Sequence, residues 1–309
     1  MSLLALITAL LLEQLQPLSS RKYLSGWLAA YVDFFQQKFN AGEHRHGKIA
    51  WLVAVLPLVL GVVVSYWLMY RVHPIVAWIF NVLVLYLTMG FRQFSHYFTD
   101  IHLALREGRL DEARRLLSSW RGLHSHEFNA EEVARVTIEQ ALIASHRHVF
   151  GVIVWFVMFS FLGLGGASGA LLYRLGQFLR TRWNGEAMGE FGGFAQQVFT
   201  VLEWLPVRLT AMTFAIVGNF EDTVYCWRTQ AASWPDPEAG VLLASGAGAL
   251  GVRLGMAIPH GGMPEDRPEL GVGDEADADF MQSAIGLVWR SVVFWVFLLL
   301  LLTLARFYG

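Results

Sequence analysis

The chain has 309 residues, 55% of them hydrophobic and 16% charged, with a net charge of −2 at neutral pH. Ordinary soluble domains run nearer about 25% charged, so this chain is not built to face water on all sides, and with no basic excess nucleic acid is excluded as a partner. The single cysteine, Cys226, excludes an internal disulfide framework and any paired-cysteine metal knuckle; it reads as a buried thiol.

The first sixteen residues, MSLLALITALLLEQLQ, are apolar but short and contain Glu13. They lack a basic leading region and a small-residue cleavage site, so they read as a helix on the membrane surface and not as a signal peptide. Continuous apolar runs of about 18 residues or more read as spanning helices. Ile49–Tyr70 is the first, and Pro74–Phe91 follows after Arg71-Val72-His73, which predicts a tight hairpin. Val149–Leu172 is a third and Leu287–Ala305 the last. Residues 198–218, VFTVLEWLPVRLTAMTFAIVG, are apolar except for Glu203 and Arg208. A charge at bilayer depth costs about 3 kcal/mol even on mild insertion scales. This segment therefore either lines a polar site inside a bundle or does not cross. If it crosses, sixteen Lys and Arg fall in segments 18–48, 92–148 and 220–286, and five fall on the opposite side. That asymmetry places the three segments in the cytoplasm.

In 92–148, LALREGRLDEARRLLSSW has helical spacing broken at Gly108, with Asp111 and Arg115 spaced to pair at i,i+4. Asn129 followed by Glu132 is a variant capping box, from which a helix runs unbroken toward the third span. A hairpin of this length between spans is either solvated packing or a docking element. In 220–286, FEDTVYCWRTQAASW is compatible with a helix, and GGMPEDRPELGVGDEADADF, with seven acids from Glu265 to Asp279, reads as a flexible solvated loop. Its spacing matches no calcium loop. His-x-His occurs at His44/His46, His124/His126 and His146/His148; the last pair, on a helix, points apart, and no metal site is expected. GAGALGVRLG, residues 246–255, lacks the Lys-Ser/Thr of a P-loop. Its Arg253 has no acid beside it in sequence and suits a phosphate or carboxylate. Gly165-x-x-x-Gly169 permits close helix contact or an unwound turn.

Four motifs in order resemble the CobD/CbiB family of integral-membrane adenosylcobinamide-phosphate synthases: GRLDEARRLL (108–117), GGxxGAxxYR (165–174), WLPVRLTA (204–211) and AGALGVRLG (247–255). The likeness spans roughly residues 100 to 290. It implies that Arg174, Arg208 and Arg253, with Tyr173, Glu203, Gly165, Gly166 and Gly255, contribute to binding an anionic small molecule. If the chain is an enzyme, it also implies Glu139 as the surviving catalytic carboxylate, with Mg-ATP and a corrinoid as its small-molecule partners. Several family acids are absent: WRGLHSHEF stands where the family has Gly-Arg-Asp-Thr, QFLR (177–180) where it has Asn-Thr-Leu-Asp, and Ile143, Ala144 and Arg147 replace later acids. EWLPVRLTAMTFAIVG (203–218) and LLLEQLQPL (10–18) are similar to the divergent AmpE-type proteins linked to β-lactamase induction.

The reading that follows is an all-α polytopic bundle with about five spans, in a bacterial inner membrane. Its segments are 1–48, N-terminal helices; 49–91, a transmembrane hairpin; 92–148, a cytoplasmic helical hairpin; 149–219, a transmembrane pair with an intramembrane arginine; 220–286, a cytoplasmic Gly/Pro/acid-rich segment; and 287–309, a last span. The loss of acids points first to a non-catalytic ligand-binding or signalling protein, second to a synthase joining aminopropanol phosphate to adenosylcobyric acid, and third to a transporter or flippase. The bilayer is the expected partner, and a homo-oligomer is an allowed assembly.

Overall fold

The computed structural model describes residues 2–15, 21–40, 43–122, 125–184, 186–260 and 263–308. In chain order the helices are α1 (Ser2–Leu15), α2 (Arg21–Phe39), α3 (His44–Val72), α4 (Pro74–Thr88), α5 (Phe91–Arg106), α6 (Leu110–Arg121) and α7 (Ala130–Ser145). A π-helical turn, His146–Phe150, leads into α8 (Gly151–Phe161), followed by α9 (Gly166–Arg182), α10 (Gly193–Val217), α11 (Phe220–Gln230) and α12 (Pro237–Leu250). Five short strands come next: β1 (Val252–Gly255), β2 (Ile258–His260), β3 (Met263–Glu265), β4 (Glu269–Leu270) and β5 (Asp274–Glu275), and then α13 (Ala278–Tyr308). The fold is an all-α polytopic membrane bundle. Among the described residues, four helical stretches are long and apolar enough to span a bilayer: His44–Val72, Ala130–Phe161, Met188–Val217 and Ala278–Ala305. Pro74–Thr88 is shorter, 15 residues. The chain divides into two compact units, Met1–Gly90 with Arg147–Pro206, and Phe91–His146 with Val207–Gly309.

In the first unit, α1 packs on α4 through Ala5, Leu6 and Ala9 and buries Glu13. At 14 residues it is about 21 Å long against about 30 Å of hydrocarbon, too short to span. The α3–α4 hairpin turns on one extended residue, His73, with Pro74 preset for the first helical position; the His73 ring accepts from the Ile75 N–H at 3.2 Å. Only 28% of the most apolar window of α3 is buried, so most of its Leu, Val and Trp side chains face outward, as contact with hydrocarbon requires. Its inner face joins Val32, Leu175, Leu179, Trp183 and Phe191 in one core cluster.

The expected third span, Val149–Leu172, is not one helix. Gly163 and Gly165 take left-handed φ of 74° and 81°, a backbone that costs glycine nothing, and the helix ends at Phe161 and restarts at Gly166. The two halves pack against each other so closely that a Cβ at Gly169 would lie 2.2 Å from the Trp155 carbonyl oxygen. Hydropathy alone cannot see such a break, because the turn residues are as apolar as the helices they separate.

In the second unit, α5 and α6 break at Gly108, φ 72°, as expected. Asp111 pairs with Arg114 at 2.9 Å and not with Arg115, since both i+3 and i+4 lie on its face. The capping box forms in full: the Glu132 N–H donates to Asn129 Oδ1 at 2.8 Å, and the Asn129 N–H to Glu132 Oε2 at 2.7 Å.

Segment 220–286, expected as a helix followed by a flexible acidic loop, is folded throughout its described residues. Gly261 and Gly262 of the acidic stretch lie outside those residues. Asp236 caps α12, accepting from the Glu238 and Ala239 N–H groups, and α12 is buried from Glu238 to Ala249. Its glycines are contact points: a Cβ at Gly248 would meet the Asp222 carbonyl oxygen at 2.4 Å, and one at Gly246 would meet Leu142 at 2.6 Å. β1 lies between β4 and β5, antiparallel to the first and parallel to the second, and β2 pairs with β3.

Candidate functional site

Of the four buried carboxylates among the described residues, Glu13, Glu139, Glu203 and Glu238, the last three are held by arginine. In the first unit, Glu203 is almost completely buried. It accepts from Arg147 Nε at 3.0 Å and from Arg180 Nη1 at 3.1 Å. Both guanidiniums lie over the Phe199 ring, at 6.0 and 5.2 Å, and Phe199 packs on the buried Tyr173 ring at 5.5 Å. Arg174 donates to His148 Nδ1 at 3.1 Å and to Gln177 Oε1. Gly165 and Gly166 serve the α8–α9 turn: a Cβ at Gly165 would lie 2.6 Å from the Tyr66 ring, and one at Gly166 would lie 2.4 Å from Ser160 Oγ and 2.5 Å from the Phe156 ring.

In the second unit, Arg208 pairs with the buried Glu238 at 2.8 Å. His146 bonds Thr210 Oγ1 at 3.0 Å; His124 lies outside the described residues. Arg253, which has no acid beside it in sequence, receives two from the sheet: Glu275 at 3.1 Å, brought alongside by the parallel β1–β5 pairing, and Glu269 at 3.6 Å on β4.

The third carboxylate, Glu139 on α7, draws the widest set together. Its Oε1 accepts from the Gly255 N–H at 2.8 Å. Arg267 grips it with both Nη atoms, at 2.8 and 3.2 Å. Arg267 spends its remaining donors on the Met256 and Gly255 carbonyls, at 3.1 and 3.0 Å, and stacks over Trp234 at 5.5 Å. The loop it fastens is unusual: Gly255 has φ 75° and Met256 φ 60°. A Cβ at Gly255 would fall 2.0 Å from the Pro268 carbonyl oxygen, so the position requires glycine twice over. One turn before Glu139, the buried Arg135 donates to the Ala257 carbonyl at 3.2 Å. Arg121, the last residue of α6, is in electrostatic reach of Arg267, Glu139 and Glu265; burial first and the Arg267 charge second lower its pKa from the ordinary guanidinium value.

The structure thus joins Glu139 and Gly255, two residues singled out in the sequence, and gathers Tyr173, Arg174 and Glu203 in one electrostatic neighbourhood, while Arg208 and Arg253 pair with acids of their own. Arg147, Arg180, Arg121, Arg135 and Arg267 were missed. Arg147 and Arg180 looked like losses of family acids, and Arg267 was masked by the acidic run around it. Among the described residues no group of three or more His, Cys, Asp or Glu is placed to hold a metal ion.

Long apolar helices with buried arginine–carboxylate pairs among them define a helical membrane protein. More narrowly, the chain belongs to the CobD/CbiB family: the family described as CobD/Cbib protein matches residues 4–288. It is similar to the cobalamin biosynthesis protein CobD of Stutzerimonas stutzeri, 35% identical over 303 residues and 96% of both chains. It is also similar to that of Chromobacterium violaceum, 36% identical over 224 residues, 72% of this chain and 70% of the other. The cobalamin biosynthesis protein CbiB of Salmonella arizonae is 26% identical over 283 residues, 86% of each. No solved structure matches the chain. These relatives overturn the expectation of a non-catalytic regulator and lend no support to an AmpE-type assignment. Several motif acids are absent, yet the chain keeps buried carboxylates at Glu139, Glu203 and Glu238.

Proposed function

We propose that this chain is an adenosylcobinamide-phosphate synthase, an enzyme of cobalamin biosynthesis that forms an amide between the amine of an aminopropanol phosphate and a carboxylate of adenosylcobyric acid, at the expense of ATP. The observation that carries this reading is end-to-end likeness, over 96% of both chains, to a protein named for cobalamin biosynthesis. The geometry around Glu139 supports it. A carboxylate becomes reactive toward an amine when its oxygen is converted to a phosphate leaving group, so a synthase must hold phosphoryl groups and neutralise their charge. A site walled by arginines suits that task. Both Glu139 oxygens are engaged by Arg267 and the Gly255 N–H, so Glu139 acts as a positioning residue that fixes the loop from Gly255 to Arg267. Magnesium would arrive on the nucleotide, held mainly through its phosphates.

The protein would lie in a bacterial inner membrane as a multi-pass chain, with 92–148 and 220–286 on the cytoplasmic side, where ATP is found. Complementation tests the reading. A strain lacking its own synthase, supplied with cobyric acid, is expected to grow when this chain is expressed. Failure to grow with the protein present in the membrane fraction would refute it.

A further inference from the structure

The charges around Glu139 do not balance. Arg267 is bonded to the buried Glu139, and the guanidiniums of Arg121 and Arg135 both lie within electrostatic reach of that pair. Other acids reach the cluster electrostatically, namely Glu132, Glu265 and Glu275, but each is committed or solvated. Glu132 is bonded in its capping box, Glu275 pairs with Arg253, and Glu265 is exposed. Arg267 has every nitrogen engaged. Arg135 has not: it is 7% exposed, its Nη2 reaches Ala257, and its buried Nε has no hydrogen-bond partner among the described residues. Arg121 is half-buried on a helix that packs against α7. A buried guanidinium donor left without an acceptor costs more than an ordinary lost hydrogen bond, and like charges gathered at one place repel. Both costs vanish when an anion with several acceptor oxygens enters.

We propose that Arg121 and Arg135 form a clamp for a phosphoryl group, held in place by the Glu139–Arg267 pair. Planar guanidinium forks match phosphate oxygens two at a time. The ligand class is a di- or triphosphate or a phosphate monoester, and a phospholipid headgroup offers the same chemistry. The inference deepens the synthase reading by giving that site its phosphoryl-binding residues, yet it is carried by charge and geometry, so the two can fail separately.

The experiment is calorimetric titration of inorganic pyrophosphate into the full-length protein in discs of neutral phosphatidylcholine, at constant ionic strength. Saturable binding is expected. Arg121→Gln should weaken it about tenfold or more, the loss of one charge-assisted contact, and Arg121→Lys should weaken it less. Arg228→Gln, at an exposed arginine on α11, should leave it unchanged. Arg135→Gln should match Arg121→Gln; if it fails to fold, as judged by its melting profile, Arg121→Gln carries the test. A parallel melting series in phosphatidylglycerol discs separates the sources: stabilisation by that lipid that depends on Arg121, with no pyrophosphate binding, would keep the clamp and assign it to a headgroup. Binding by Arg121→Gln equal to wild type, or no response of the wild type to either probe, would overturn the proposal. Complementation by the wild type alongside undiminished binding by Arg121→Gln would sink the clamp and leave the synthase standing. Binding that depends on Arg121 in a chain that does not complement would do the reverse.

Discussion

Glu139→Ala probes the carboxylate that ties α7 to Gly255 and Arg267. In the native protein the Glu139 and Arg267 side chains are 6% and 10% exposed, so neither charge is much screened by water. Removing the carboxylate leaves the guanidinium buried without a counter-charge, which typically costs about 3–5 kcal/mol. The Gly255 N–H also loses its acceptor, a further cost of about 1–3 kcal/mol. Against this, Arg267 keeps two backbone carbonyls and the Trp234 face. The two costs also share one desolvation and do not simply add. A net loss of about 3–4 kcal/mol is expected from the low end of the buried-pair range. Glu139→Gln keeps an acceptor for Gly255 and should lose about 1 kcal/mol less. Reversible unfolding in mixed micelles, read by tryptophan fluorescence, measures both. Arg267→Met alone should also destabilise, while the double variant Glu139→Ala/Arg267→Met should recover much of the loss, because it buries no orphan charge. A single variant within about 0.5 kcal/mol of wild type, the usual scatter of an inconsequential substitution, would refute the reasoning. So would strict additivity in the double variant.

Cys226, the only cysteine, is buried, and burial raises its thiol pKa. A maleimide at neutral pH is expected to leave it unlabelled in the folded protein and to label it fully in denaturant; rapid native labelling would mean that the second unit is looser than described. Gly169→Val should abolish accumulation in the membrane, since even its Cβ would overlap the Trp155 carbonyl and no small shift of α8 relieves a backbone clash; normal expression would contradict the α8–α9 packing. Arg182 lowers the Asp33 carboxyl pKa through a bidentate contact at 2.7 and 2.8 Å. That stabilisation is present above the unfolded-state value of about 3.9 and is lost as pH falls through the depressed native value. Asp33→Asn should therefore lower stability at neutral pH by under about 1 kcal/mol, the exposed-pair limit, and flatten the acid limb by the same amount, so that the variant and wild type converge at low pH. An unaltered acid limb would remove the pair from the account.

The helices over 49–70 and 287–305 could be read from the sequence because uninterrupted apolar runs admit few alternatives, whereas the run 74–91 forms a shorter helix that ends at Thr88. The third run was misjudged because Gly163 and Gly165 end a helix by backbone conformation and not by polarity. PEAGVLLASGAGAL was the opposite case. Its glycines, at Gly240, Gly246 and Gly248, let backbones and side chains approach a buried helix. The acidic run around Arg267 looked solvated because composition averages over neighbours. The decisive contacts join Arg267 to Glu139, 128 positions away, and no local window contains both. For the same reason Glu139 and Gly255 could each be singled out while their convergence, across 116 positions, could not.

The distribution of charge also explains why counting family acids misled. Glu139, Glu203 and Glu238 are all buried, and none is left to act alone: Arg267, Arg147 with Arg180, and Arg208 hold them. In each cluster the carboxylate fixes where a guanidinium points. A surplus of positive charge then remains at Arg121 and Arg135, beside a loop whose backbone only glycine permits at position 255. For a reaction whose partners carry phosphates and a carboxylate, the negative charge comes with the substrates, and what the protein must provide is oriented cations in a site poor in water. A chain can therefore lose acids from its motifs and keep the chemistry, provided the arginines and the few carboxylates that aim them remain. Loss of Arg121 or Arg135 would be the stronger sign of a scaffold that no longer catalyses.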